Sequence, residues 1–233
     1  MRFLKAVAIV AGVSALAGAS AADAVGAPKW GGFYVGASAG LNGVSATETD
    51  TATIPPSVTT FSGGPSWGAV GSLTWGYDFR IAPGLLLGTY SSLDITNAEA
   101  TLTSPGGDVN KLQQNWAYNS GVRLGALVNS NTLLYLDGGF SRAGFTFSYN
   151  PPAPGAPYTN GHVFDGWFAG LGAQEKITDA LSVSLDYRFA RYGSDQVGCG
   201  VGGVGCVVPI EIHEIQPDLQ SVRIGLVYNV GGL

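Results

Sequence analysis

The sequence predicts an all-β protein, an eight-stranded antiparallel up-and-down transmembrane β-barrel, on three observations. Charged residues make up 12% of the 233 residues, about half the usual share of a soluble domain. Beyond the N-terminal stretch, no apolar run is long enough for a membrane helix. Eight segments alternate with period 2, and the connections between them alternate long and short. Such a chain has too little charge to solvate an ordinary surface and no helix to place in lipid. A closed barrel resolves the conflict, because in lipid only helices and barrels satisfy every backbone polar group.

The N-terminus reads as a secretory signal peptide. Arg2 and Lys5 precede an apolar, small-residue run over 6–19, and Ala19-Ser20-Ala21 supplies an A-x-A exit. Cleavage is expected after Ala21, with Ala24 as the alternative, leaving 22–233 as the barrel. Loss of Arg2 and Lys5 leaves nine Lys+Arg against sixteen Asp+Glu, a net charge near −7. That balance argues against a nucleic-acid partner.

The eight predicted strands run over 31–46, 67–81, 85–103, 112–128, 132–149, 165–177, 181–197 and 218–230. Each offers the roughly 9–11 residues that a tilted transmembrane strand needs. In the second, Trp67, Ala69, Leu73, Trp75, Tyr77 and Phe79 oppose Ser72, Thr74, Asp78 and Arg80. In the fourth, Trp116, Tyr118, Val122, Leu124 and Val128 oppose Asn119 and Arg123. The fifth is less regular, and Gly138-Gly139 is read there as a bulge. In the sixth, Trp167, Ala169, Leu171 and Ala173 oppose Gly166, Gly170 and Gln174. The seventh sets Leu181, Val183, Leu185, Tyr187 and Phe189 against Ser182, Ser184, Asp186 and Arg188. The eighth sets Val222, Ile224, Leu226, Tyr228 and Val230 against Ser221, Arg223, Gly225 and Asn229. Periodicity alone does not say which face is inside. The low charge and the aromatic placement assign the apolar face to lipid and the polar face to a lumen.

The tight turns are Ala82-Pro83-Gly84, Asn129-Ser130-Asn131 and Thr178-Asp179-Ala180. The longer connections are 47–66, 104–111, 150–164 and 198–217. Short periplasmic turns and long external loops are the pattern of outer-membrane barrels, with both termini in the periplasm. Aromatic residues fall near strand ends, where amphipathic rings favour the membrane interface. Trp30, Phe33, Tyr34, Tyr77, Phe79 and Tyr228 are assigned to a periplasmic belt. Trp67, Trp116, Tyr118, Tyr149, Trp167 and Tyr192 are assigned to an outer one.

The segment Trp30-Gly-Gly-Phe-Tyr-Val-Gly-Ala-Ser-Ala-Gly40 resembles the opening W-x-G-F-Y-V-G-x-x-x-G of the small porin-like outer-membrane β-barrel proteins. These include the outer-membrane immunogenic protein type and are similar in fold to the OmpA membrane domain. The ending Ser221-Val-Arg-Ile-Gly-Leu-Val-Tyr228 resembles their last strand. The resemblance implies an outer-membrane location, contact with outer-membrane lipid and lipopolysaccharide, and handling by the barrel assembly machinery. Members commonly end in an aromatic residue, whereas here Asn-Val-Gly-Gly-Leu233 follows Tyr228. The family implies no single activity; its members are described as porins, structural proteins and surface antigens.

The lumen face carries Asp78, Arg80, Asp94, Arg123, Asp137, Asp186, Arg188 and Arg223, four acids and four bases. An eight-stranded barrel is just wide enough for side chains to fill it, so matched charges read as an ion-pair plug. Cys199 and Cys206, in a glycine-rich loop of a secreted chain, read as a disulfide. Glu211, His213 and Glu214 match no metal-binding spacing, and no cofactor is expected. His162 and His213 fall in predicted external loops, and no G-x-S-x-G elbow is present, so no catalytic residues are assigned. The expectation is a non-catalytic barrel with a structural or surface-interaction role, its external loops available to a surface ligand. The alternatives are a narrow passive channel for ions or small polar solutes, and a soluble ligand-binding barrel.

Overall fold

The computed structural model describes residues 30–53, 56–103, 109–150, 157–196 and 211–230. The strands are β1 (Gly32–Thr53), β2 (Pro56–Ala82), β3 (Leu85–Thr96), β4 (Glu99–Thr103), β5 (Val109–Leu127), β6 (Thr132–Asn150), β7 (Tyr158–Lys176), β8 (Leu181–Tyr192), β9 (Asp195–Gln196) and β10 (Glu211–Asn229). Neighbouring strands around the wall pair antiparallel, and β10 returns to pair with β1 from Tyr34↔Asn229 to Ala52↔Glu211. β4 continues the wall of β3, and β9 that of β8, so ten strands occupy eight places in a closed ring. Closure leaves no edge within the bilayer. The predicted signal peptide and the Cys199–Cys206 disulfide lie outside the described residues.

The turns at the periplasmic end form for local reasons. Gly84 takes φ 75°, a conformation open to glycine. The Asn129 side-chain carbonyl accepts from the amides of Asn131 and Thr132 at 2.8 and 2.9 Å, an Asx turn. Thr178 Oγ1 accepts from the Leu181 amide at 3.0 Å.

The longer connections differ from the sequence expectation. Strands run through most of 47–66 and extend into 150–164 and 198–217: β1 pairs β2 as far as Thr53↔Pro56, β7 begins at Tyr158 and β10 at Glu211. The reason is a change of polarity along each strand. On β1, outward Phe33, Val35, Ala37, Ala39 and Leu41 give way to Ser45, Thr47, Thr49 and Thr51, while inward positions change from Asn42 to Val44 and Ala46. Nine residues at ~3.3 Å each, tilted by ~40°, climb roughly 20–25 Å, the height of a lipid-facing apolar band. Beyond it the outside meets water, so the barrel takes the polarity of a soluble one. The outward apolar face therefore stops at the boundary, and the sequence beyond it has the polarity of a loop.

The change of polarity is marked by three irregularities. Register shifts lie between Val44 and Ala46 and between Gln114 and Trp116. The first accommodates Pro65, which has no amide to give a ladder. Between β3 and β4, Asn97 Oδ1 accepts from the Ala69 amide at 2.8 Å and Thr96 Oγ1 donates to the Ala69 carbonyl at 2.9 Å, replacing ladder bonds. Gly138 and Gly139 stay in register, so the bulge expected there falls on β5 instead.

Candidate functional site

Seven of the eight predicted lumen charges point inward at membrane level. Asp78 (β2), Asp94 (β3), Arg123 (β5) and Arg223 (β10) are buried, and Asp137 (β6), Asp186 and Arg188 (β8) line the same interior. Arg80 does not join them. It lies exposed at the periplasmic end beside the register shift at Arg80/Ala82, and its Nη2 donates to the Trp30 carbonyl at 3.3 Å.

A recurring device brings the inward groups together: a glycine on a middle strand lets side chains from its two neighbours meet over it. Asp78, Gly88 and Arg123 share one register line across β2, β3 and β5. Arg123 Nε donates to Asp78 Oδ1 at 2.8 Å, and its Nη2 bonds Asp78 Oδ2. A Cβ on Gly88 would overlap Asp78 Oδ1. Asp137, Gly170 and Arg188 repeat the arrangement across β6, β7 and β8, with Arg188 Nη2 3.8 Å from Asp137 Oδ2. Tyr135 meets Asp186 over Gly172, and the Tyr135 hydroxyl donates to Asp186 Oδ1. Tyr34 and Tyr90 flank Gly76 in the same way.

The charges are satisfied across the lumen as well as along the wall. Arg223 lies directly opposite Asp186 in the ladder, yet it donates to both carboxylate oxygens of Asp94 at 3.0 and 2.9 Å. Asp94 also accepts from Ser72 at 2.6 Å and Asn119 at 2.9 Å, and lies 3.8 Å from Arg188. Asp137 accepts from the Tyr90 hydroxyl, which itself accepts from Arg188 at 3.0 Å. Guanidinium planes are seated on rings, Arg123 4.2 Å from the Tyr34 centroid and Arg188 4.5 Å from that of Phe168. Bidentate pairing and added hydrogen bonds make buried charges tolerable, although Asp137 Oδ1, Arg188 Nη1 and Arg223 Nε have no hydrogen-bond partner among the described residues.

Above this network the interior is mostly apolar, around one buried polar pair in which Asn110 Nδ2 donates to both Glu48 carboxylate oxygens at 3.0 Å. Val44, Leu102, Leu112, Phe145, Phe147, Phe164, Ile215 and Leu219 are all buried in one cluster. Below it, Trp30 closes the periplasmic mouth. Its indole Nε1 donates to the Ser130 carbonyl at 2.8 Å, the Lys176 ammonium sits 4.9 Å from its ring, and it packs with Leu86, Leu133 and Tyr135. Gly31 and Gly32, at φ 118° and 95°, turn the chain beneath the barrel. Between these ends lies a cavity of about 60 Å³ lined by Tyr34, Tyr90, Asp137, Asp186 and Arg188.

Of the residues assigned to the aromatic belts, Phe33, Trp67, Phe79, Trp116, Trp167 and Tyr228 are exposed on the outer surface, and Tyr77 and Tyr118 are outward and half-buried. Four face inward instead. Tyr34 and Tyr192 are each 1% exposed and Trp30 is 5% exposed. Tyr34 stacks under Arg123, Tyr192 OH lies 3.0 Å from Ser141 Oγ, and Trp30 is the stopper just described. Tyr149 also turns in, against the upper apolar cluster. Ring identity does not reveal strand parity, and parity decides the face. Trp67 and Trp116 lie flat over Gly43 and Gly144, where an added Cβ would meet their indoles.

Tyr90 and Tyr135 are lumen residues that sequence reasoning missed; they become visible only once register is known. His162, expected in a loop, points into the upper barrel on β7, its Nδ1 3.8 Å from Asp195 Oδ2.

The family model for the outer membrane protein beta-barrel domain matches residues 8–229. No curated protein matches the chain. Among solved structures it is similar to the outer membrane protein OprG from Pseudomonas aeruginosa, at 10% identity and TM-score 0.48, covering 85% of this chain and 97% of that one. It is also similar to Neisserial surface protein A, at 13% identity and TM-score 0.38, covering 83% and 95%. A third is Ail, the attachment invasion locus protein of Yersinia pestis, at 9% identity and TM-score 0.36, covering 82% and 99%.

Proposed function

Because the chain belongs to the outer membrane protein beta-barrel domain family and resides in the outer membrane, we propose that it is a closed, non-catalytic barrel with a structural or surface-interaction role. One observation carries this reading. The lumen is filled twice over, by the Asp–Arg network at membrane level and by the phenylalanine-rich cluster above it. An ion crossing the barrel must leave water at the second of these, where the buried polar pair Glu48 and Asn110 is bonded to itself, the Asn110 amide donating to both Glu48 carboxylate oxygens at 3.0 Å. The extracellular stretches of β1, β2, β6 and β10 then form a stalk packed on its own core, which presents its polar outer face and its connections to a surface ligand.

The narrow-channel reading draws on the lumen cavity and on polar atoms without a partner there, Asp137 Oδ1 and Arg223 Nε. It needs a path through Phe145, Phe147 and Phe164, and these are 2% exposed or less. Planar-bilayer conductance separates the two. Refolded protein, shown to be folded by its heat-dependent gel shift, is expected to be silent. Discrete, reproducible current steps would sink the closed-barrel reading.

A further inference from the structure

The outer surface changes character unequally around the barrel where the apolar band ends. On β6, β7, β8 and β10 the boundary carries outward Arg142, Asp165, Arg191 and Asp218, an arc of alternating sign over half the circumference. Arg142 stands opposite Asp165 in the ladder, with Nε 3.6 Å from Oδ1. Arg191 stands opposite Asp218 and donates to both its carboxylate oxygens at 2.8 Å. Between β7 and β8 the arc steps by two residues, since Arg191 registers with Trp167. A tilted barrel needs such a stagger to hold a level line. Directly beneath lie Phe140, Trp167 and Phe189, with Trp167 and Phe189 5.8 Å apart and the Arg191 guanidinium 5.8 Å from the Phe189 ring. On the other half the same level carries Ser45, Trp67, Asn97, Asn115 and Trp116. The acid and base there, Glu99 and Lys111, are set back from the band by Asn97 and by Asn115 and Gln113.

We propose that this arc binds phosphate-bearing headgroups of the outer leaflet together with a divalent cation. Both arginines are about half exposed, at 44% and 49%. Exposed ion pairs are held by little, about 0–1 kcal/mol, so a guanidinium exchanges its carboxylate for a phosphate at small cost. Its planar fork matches phosphate oxygens better than an ammonium does. The arc is neutral as a whole and has no net attraction for an anionic surface. What it selects is therefore the ion pair: Arg142 and Arg191 take phosphate oxygens, and the released Asp165 and Asp218 take the hard divalent cation that bridges to the next phosphate. The aromatic row beneath seats the interface below the headgroup. The inference rests on the outer-membrane location and not on whether the lumen conducts, so it stands or falls separately from the conductance test.

The test uses the full refolded chain in phosphatidylcholine vesicles doped with bisphosphorylated lipid A, with and without Mg²⁺, and measures lipid A retained per barrel after exchange into detergent. The wild type is expected to retain it, and to retain far less of a dephosphorylated lipid A. The Arg142→Gln/Arg191→Gln variant is expected to lose about tenfold in retention, the scale of one charge-assisted hydrogen bond. Asp165→Asn/Asp218→Asn is expected to lose only the Mg²⁺-dependent part. Equal retention of phosphorylated and dephosphorylated lipid by the wild type overturns the proposal, and needs no variant to fold. So does a concentration-dependent dimer that these substitutions abolish while lipid retention is unchanged, which would assign the arc to a second copy of the chain.

Discussion

Asp78 and Arg123 stand on strands that are not neighbours, and they meet over Gly88. Arg123 Nε donates to Asp78 Oδ1 at 2.8 Å, through the space that a side chain at position 88 would fill. The middle strand thus contributes by having nothing there. Gly88→Ala is expected to force the pair apart and cost about 1–3 kcal/mol, the usual scale of overpacking. Gly71→Ala, outward and with no atom within 4 Å of the added Cβ, should change stability by less than about 0.5 kcal/mol. Urea unfolding in vesicles compares the two.

Arg223 and Asp94 are buried and doubly hydrogen-bonded. Arg223→Ala leaves a carboxylate without its bidentate partner in a closed interior and is expected to cost about 3–5 kcal/mol. Adding Asp94→Asn should recover part of the loss, because it removes the stranded charge. Lys111→Ala breaks an exposed pair with Glu99 at 3.2 Å and should cost no more than about 1 kcal/mol. Similar thermal midpoints for Arg223→Ala and Lys111→Ala would contradict the ion-pair plug.

Phe147 is fully buried in the part of the barrel that stands outside the lipid band. Phe147→Ala should cost about 3–5 kcal/mol, as core phenylalanines do. If 143–149 were the base of a mobile loop, the thermal midpoint would not move.

Hydrogen exchange offers a second view of the same region. Amides over 46–52 lie in ladders with both β2 and β10 and are expected to exchange slowly, with protection comparable to that of 34–41. Fast exchange beyond Val44 would restore the loop expected from the sequence.

Tryptophan fluorescence reports which face meets lipid. Trp75 is 36% exposed on the outer face, whereas Trp30 is 5% exposed under the barrel. In variants that keep a single tryptophan, bromine-labelled acyl chains are expected to quench Trp75 and to leave Trp30 largely unquenched. Equal quenching would mean that Trp30 belongs to the belt after all.

The sequence by itself determined the fold class, the number of walls and the turns at the closed end. All three follow from local signals: period-2 alternation, turn chemistry at Pro83-Gly84 and Asn129, and a charge content too low for a solvated surface. It also determined most of the inward charges, because parity within one strand tells Asp186 and Arg188 from Tyr187. Tertiary structure alone decided which groups meet. Arg223 finds Asp94 and not Asp186, its ladder neighbour, because a guanidinium spans a narrow lumen and register between distant strands sets what it reaches. The same holds for the glycines at 76, 88, 170 and 172, which read as flexible positions until their neighbours are known. The extracellular strands were hidden for a related reason. Alternation persists through 45–52, but the side that must be apolar is exchanged where lipid gives way to water, and only the closed barrel shows where that boundary falls.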